Sequence, residues 1–370
     1  MLYKRTNVLC ICNCLLGNRT VTEIIEQVLA QIENVHTEYI FIEPQDYSDY
    51  PVPKWRKLIG MTSEILYIIQ QKIEDVDFFQ YDIVLVQGFE IGWAVNNKVR
   101  DIPCIMFNDA TPIISHQLMY QYFYSSPLEK IRSLVLIGIY KIFFRNIFSN
   151  IDRFFPTTNW CGQSLIKDLG VPAEKVAQRT IAVDLNNWKI VERNENKGRV
   201  KLLFVGNDFK RKGGDFLLKM YSKISDRCEL IIISNDRALD LINLPLGVNR
   251  YKNILYTEIN KFFSDADIFI FPTYKDHFAL VQIEAMASGL PIISRDIGGV
   301  SEAVRDAYNG YLMPYNSSED EWAQKISYLI EHPEERKRMG YNSRMIVEKE
   351  FNIETFEKTI RCAIEGLAGS

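Results

Sequence analysis

Short continuous apolar runs alternate along this chain with longer stretches whose apolar positions recur every three to four residues. Residues 8–16 (VLCICNCLL, interrupted by Asn13), 81–87 (YDIVLVQ), 102–107 (IPCIMF), 201–206 (KLLFVG), Ile268–Phe271 (IFIF) and 291–294 (PIIS) read as strands, Ile268–Phe271 as one buried on both faces. The stretches VTEIIEQVLAQIENV, DFLLKMYSKI and 279–288 read as helices. In the last, Leu280, Ile283, Met286 and Ala287 share one face. Pro272 stops the strand before it, Gly289 suits the position just past its end, and Pro291 bars continuation. Strand–helix alternation of this kind predicts an α/β fold built on parallel sheets.

In such a sheet the loops that follow the strands lie at the carboxyl edge, where open α/β folds take ligands. Two of these loops carry charge. Asp276 precedes the 279–288 helix and Glu284, seven intervening residues later, lies about one turn into it. The other loop, NDFKRKGG, joins the 201–206 strand to its helix. A basic loop at a helix N-terminus suits a phosphate, because backbone N–H groups and the helix dipole attract an anion that Lys or Arg then neutralises. An ordinary solvated basic loop is the alternative.

The phrase DHFALVQIEAMASGLPII resembles the donor-site signature of retaining glycosyltransferases with the GT-B fold, especially glycosyltransferase family 4. Phe278, Leu280, Glu284, Ala285, Met286, Ala287, Gly289 and Pro291 match the family pattern. Asp276 stands where Glu is usual, and the family glycines appear as His277 and Ala279. In the basic loop Lys212 matches the family Lys, Asn207 occupies the Arg position, and Arg211 is the substitute cation. Residues 156–188, with Ala182-Val183-Asp184 for Gly-Val-Asp, and the phrase DAYNGYLMPYNSSEDEWAQKI extend the resemblance over roughly 156–360. The first 150 residues match poorly.

The resemblance implies a GT-B architecture of two Rossmann-like domains facing across a cleft. An acceptor-side domain would span 1–185, a nucleotide-sugar donor domain 186–352, and a last helix, 353–370, would cross back to the first domain. It implies transfer of a sugar from a nucleoside-diphosphate sugar to a hydroxyl of a glycan, a lipid-linked acceptor or a small molecule, with retention and by front-face attack. Lys212 and Arg211 would clamp the diphosphate together with amides around Phe278, Ala279, Leu280 and Val281. Glu284 would bind ribose hydroxyls, Asp276 the sugar hydroxyls, and Asn207 and Gly17 would line the donor site. No cofactor and no metal are expected. The two Asp-x-Asp matches, at 75–77 and 265–267, precede strands and so fall at the amino edge. Asp for Glu at 276 and Asn for Arg at 207 keep open a catalytically silent, nucleotide-sugar-binding subunit. A sugar-nucleotide epimerase is a further alternative, disfavoured by only four histidines. Donor base, sugar, acceptor and oligomeric state stay open.

At 370 residues two domains are expected. With 47% hydrophobic and 24% charged residues the composition is that of a globular protein, and a net charge of −4 gives no signal for nucleic acid. The N-terminal apolar run reads as a first strand ending at Gly17 rather than as a signal peptide. A cytoplasmic protein, or one peripheral on the inner face of a membrane, is expected. Cys10, Cys12 and Cys14 share one strand face and read as small buried hydrophobes, without zinc-pair spacing.

In the first half, Asp109 follows the 102–107 strand and is the candidate catalytic acid there, with a capping role as the alternative. Glu90 and His116 are weaker candidates. Segment 117–155 is rich in aromatic and apolar residues. It carries Lys130, Arg132, Lys141, Arg145 and Arg153 against Glu129 and Asp152. Its uninterrupted apolar part is far short of the ~20 residues a membrane span needs. A long, well-buried helix and an interfacial membrane surface are the two readings.

Overall fold

The computed structural model describes residues 5–15, 18–54, 56, 61–123, 126–190 and 198–368. Gly17 lies outside the described residues. The chain divides into two compact units: one of Met1–Ala182 with Ile353–Ser370, the other of Val183–Asn352.

Strands β1 (Thr6–Asn13), β2 (Val35–Ile42), β3 (Ile83–Gln87), β4 (Cys104–Asn108) and β5 (Arg153–Pro156) form the sheet of the first unit, in the order β2-β1-β3-β4-β5. Every pairing is parallel. β3 and β4 are buried along their whole length, as strands with helices on both faces must be. Leu9, Ile11, Val84, Val86, Met106 and Phe154 anchor its core. Cys10 and Cys12 are fully buried in β1, and burial raises both thiols well above the ordinary range. The C-terminal helix Ile353–Ala368 belongs to this unit. It buries Phe356, Ile360 and Ile364, and the Phe356 ring lies 5.8 Å from that of Phe107.

Strands β6 (Val200–Val205), β7 (Cys228–Ile233), β8 (Val248–Tyr251), β9 (Ile268–Phe271), β10 (Ile292–Arg295) and β11 (Gly310–Met313) form the second sheet, in the order β11-β10-β9-β6-β7-β8. It too is wholly parallel. The chain thus builds two Rossmann-like α/β units. In each sheet the strand order reverses once, beside the first strand: between β1 and β3, and between β6 and β9. Loops leaving two adjacent strands in opposite directions open a crevice at such a point.

Segment 117–155 departs from the expectation of one long buried helix. Helix Pro112–Leu118 runs into a π turn at Met119–Phe123, and a separate helix spans Pro127–Phe143. Ser126 and Glu129 form a capping box at the latter's start. Only Ser133 and Ile137 of its 17 residues are buried. Hydropathy records how apolar a helix is, not which of its faces finds a partner, and here only one face does.

Candidate active site

The second unit's switch point holds most of the charged candidates. The apolar run of β6 ends at Val205, and the chain turns through Gly206 to Gly213 into helix Gly214–Ser222. Gly213 has φ +80°, and a Cβ there would sit 2.1 Å from the Pro272 carbonyl oxygen. A Cβ on Gly214 would run into the Phe209 ring at 2.3 Å. Gly213 therefore lets the basic loop lie directly on the end of β9, and Gly214 leaves room for the Phe209 ring within the loop.

That close approach sets the charges. The Lys212 ammonium lies 4.9 Å from the Phe271 ring centroid and donates to Asp276 Oδ2 at 2.7 Å. Arg211 Nη1 is 3.5 Å from the same oxygen and donates to the Lys275 carbonyl at 2.6 Å. Arg211 Nε donates to Asp208 Oδ2 at 2.7 Å. Two cations from the loop after β6 thus converge on one carboxylate from the loop after β9. Lys212 and Asp276 are largely enclosed, with side chains 16% and 14% exposed. Burial, followed by the Arg211 charge, pulls the Lys275 ammonium below its ordinary value.

Helix Leu280–Ala287 starts one residue later and ends one earlier than the sequence pattern suggests. Its N-cap, Ala279, offers no side-chain acceptor; Gln282 N–H bonds to the Ala279 carbonyl at 3.0 Å, which leaves the Leu280 and Val281 N–H groups to solvent or a ligand. Phe278 is half-buried and stacks on Phe351, with ring centroids 6.3 Å apart. Leu280 and Val281 are half-buried as well. Glu284 is buried, and Tyr256 Oη donates to its Oε1 at 3.0 Å. Burial raises this carboxyl to about 7, against the opposing pull of the Tyr256 hydrogen bond. Asn207 Oδ1 accepts from the Asn235 backbone N–H at 3.0 Å, so its carbonyl oxygen tethers the loop after β7.

Two residues of this edge had no sequence signal. Tyr256, the partner of Glu284, opens helix Tyr256–Asp265 and is remote in sequence. Arg295, at the end of β10, is 1% exposed. Its Nε donates to the Pro272 carbonyl at 3.3 Å and its Nη1 to the Tyr315 carbonyl. The rings of Phe216, Tyr274, Tyr315 and Trp322 surround its guanidinium. Among the described residues it makes no ion pair.

The first unit's edge is different. Asp109 is half-buried just past β4. It is Thr111 that caps helix Pro112–Leu118, accepting from Ile114 N–H at 3.3 Å. Glu90 lies just past β3, and its carboxyl is raised, first by burial and to a lesser degree by the Asp109 charge. The His116 ring packs against Tyr140 at 5.2 Å.

The Asp-x-Asp pairs sit at amino edges. Asp77 accepts from Phe79 N–H at 3.1 Å. Asp265 pairs with Lys201 Nζ at 2.8 Å, and Asp267 accepts from Lys201 N–H at 2.8 Å, just before β9. Among the described residues, no three His, Cys, Asp or Glu side chains gather in a metal-binding group.

Residues 187–345 match the family model of glycosyl transferases group 1. A D-inositol 3-phosphate glycosyltransferase of Nocardia farcinica is 26% identical over 220 residues, 53% of this chain and 49% of that one. One of Arthrobacter sp. is 29% identical over 157 residues, 39% of this chain and 37% of that one. The chain spans only about a third to a half of the length of these curated relatives. Among solved structures, a sucrose-phosphate synthase from Thermosynechococcus elongatus superposes with a TM-score of 0.76 at 18% identity, covering 99% of this chain and 100% of that one. HepE of Anabaena, solved in complex with UDP, gives a TM-score of 0.66 at 14% identity, covering 98% and 100%. Residues 187–345 are therefore a glycosyl transferases group 1 domain, in a chain whose two parallel-sheet units have the GT-B fold of its structural neighbours.

Proposed function

We propose that this chain transfers a sugar from a nucleoside-diphosphate sugar to an acceptor hydroxyl, with retention and without a divalent metal. The observation that carries the reading is the convergence of Lys212 and Arg211 on Asp276 at the β6/β9 switch point. The group 1 domain and a structural neighbour solved with UDP support the choice of donor.

An arriving diphosphate competes with Asp276 for Lys212. Once it takes the ammonium, Asp276 is released to accept hydrogen bonds from the sugar hydroxyls. The N–H groups at the start of helix Leu280–Ala287 add donors to the diphosphate. Glu284, as a carboxylate, accepts from the ribose hydroxyls. As the bond between C1 and the phosphate oxygen breaks, negative charge grows on the departing phosphate, and Lys212 and Arg211 stabilise it there. The acceptor oxygen bonds to C1 from the same face, and its proton passes to the departing phosphate oxygen. The products are a glycoside and a nucleoside diphosphate. No side chain is assigned as a covalent nucleophile.

The test is a panel of UDP-, GDP- and ADP-sugars with and without hydroxyl acceptors, read as released nucleoside diphosphate. The anomeric configuration of the product is read by NMR. Acceptor-dependent release with retention is expected. Donor binding without turnover for every pair would instead favour a silent donor-binding subunit, a reading to which the tethered Asn207 at the family Arg position lends some support.

A further inference from the structure

Helix Pro127–Phe143 carries large apolar side chains where a soluble surface helix carries polar ones. Leu128, Ile131, Leu134, Val135, Ile139, Ile142 and Phe143 are all exposed, Ile142 at 81% and Leu128 at 77%. At about 100° per residue, Leu128, Ile131, Val135, Ile139 and Ile142 fall in one stripe about 80° wide. Leu134 and Phe143 flank it. The stripe lies opposite the face through which Ser133 and Ile137 enter the core. Single exposed hydrophobes are ordinary, but a contiguous stripe marks an interaction surface.

The charge around the stripe says what kind. Arg132 borders the stripe on one side; on the other, Lys130 and Lys141 lie beyond Leu134, between the stripe and the buried face, and Arg145 follows just past the helix end; all four are exposed. Lys141 pairs with Asp168 at 2.7 Å yet keeps 44% of its side chain in solvent. The helix's one acid, Glu129, is turned back into the capping box. We propose that this face docks on an anionic lipid bilayer, its apolar stripe entering the headgroup–acyl boundary while Lys130, Arg132, Lys141 and Arg145 meet the lipid phosphates. Long basic side chains reach outward from such a position while their alkyl stems stay on the apolar side. A second copy of the chain fits less well. A two-fold interface sets a patch against itself, and here it would press one basic rim on another. No helix among the described residues is long and apolar enough to cross a membrane. The inference does not depend on the transfer reaction.

The experiment is co-sedimentation of the full chain with vesicles of phosphatidylcholine alone or mixed with phosphatidylglycerol. Binding is expected to the mixed vesicles only, and it should fall as salt shortens the Debye length from ~10 Å at 0.1 M to ~3 Å at 1 M. Ile131→Glu with Ile142→Glu should lower the bound fraction at least tenfold while the thermal midpoint stays put, because both side chains are exposed. Ile142→Glu alone serves if the double variant unfolds. Lys130→Glu with Arg132→Glu should weaken binding to the anionic vesicles. A wild-type protein that stays in the supernatant with mixed vesicles at low salt overturns the proposal, as does an Ile142→Glu protein that pellets like wild type. A dimer dissolved by Ile142→Glu, without vesicle binding, overturns it in favour of a second copy. Because the readout is sedimentation, its failure leaves the transfer reading intact, and the reverse also holds.

Discussion

The carboxyl edges of the two parallel sheets are built alike and differ in chemistry. Between β6 and β9 the loops bring Lys212, Arg211 and Asp276 together, with Glu284 one helix turn further on. Beside β3, Gln87 fills the corresponding place. Its Oε1 accepts from the Thr22 hydroxyl at 2.7 Å and its Nε2 donates to the Asn18 carbonyl at 3.3 Å. The charges nearby in the loops after β3 and β4 are acids, Glu90 and Asp109. A parallel sheet supplies a crevice and little else; the loop residues decide whether it suits an anion. The β6/β9 edge has the cations that a diphosphate needs, whereas the β3/β4 edge has carboxylates suited to hydroxyl groups.

The largest effect that could break this contrast is the loss of Lys212. Lys212→Ala should cut turnover ~100-fold, on the order of 3 kcal/mol, because the lost contact strengthens as the leaving group gains charge. Wild-type turnover in the folded variant would remove the anion site from the β6/β9 edge.

Next comes the pH response of Glu284. Its native carboxyl sits near 7, above the ordinary 4.5. Between these values the native state holds a proton that the unfolded state has lost. The contribution to stability is therefore full below about pH 4.5 and declines as pH rises to 7. At ~1.4 kcal/mol per pH unit the total is roughly 3 kcal/mol. In urea unfolding at pH 5 and pH 8, wild type should lose roughly 2–3 kcal/mol relative to Glu284→Gln. A difference between the two proteins that does not change with pH would contradict the buried, raised carboxyl. The same proton weakens Glu284 as an acceptor, so nucleoside diphosphate affinity should rise more steeply through pH 7 in wild type than in Glu284→Gln, where only the ligand's own terminal phosphate (pKa about 6) titrates.

A smaller effect separates the two edges. Asp109→Asn should lower kcat/KM for the acceptor about tenfold, on the scale of one charge-assisted hydrogen bond. Nucleoside diphosphate affinity by calorimetry should not change. A loss of that affinity would assign Asp109 to the donor. The smallest expected effect is none: transfer should continue in EDTA, with Lys212 and Arg211 carrying the diphosphate charge. Activity lost to the chelator and restored by Mg²⁺ or Mn²⁺ would refute metal independence.

The β6/β9 edge was readable because its chemistry lies in two contiguous phrases, KLLFVGNDFKRKGG and DHFALVQIEAMASGLPII. Apolar runs located the strands, and the charged loops followed. Tyr256 and Arg295 were not readable, since each meets its partners only when separate strands and helices close up. Segment 117–155 failed in another way. Its apolar residues were evident, but helix Pro127–Phe143 is apolar on opposite faces, and composition cannot say which face the fold covers. The sequence allows Asp109 a cap or a functional role; the cap of helix Pro112–Leu118 is Thr111.

Arg295 adds something that no mobile side chain can. Its guanidinium is held by two carbonyls and four rings and makes no ion pair among the described residues. In the proposed reaction Lys212 exchanges Asp276 for the diphosphate, whereas the partners of Arg295 are backbone carbonyls. It acts as a standing voltage behind the end of β9. At an effective dielectric of about 20 a unit charge still attracts an opposite one by roughly 2 kcal/mol at ~10 Å. Because that field exists before any ligand enters, it needs no reorganisation when charge moves. Burial draws the Arg295 pKa below its ordinary value, yet an arginine starts so high that the voltage is constant over the physiological pH range. The β6/β9 edge therefore combines one carboxyl that titrates near neutrality with one positive charge that does not.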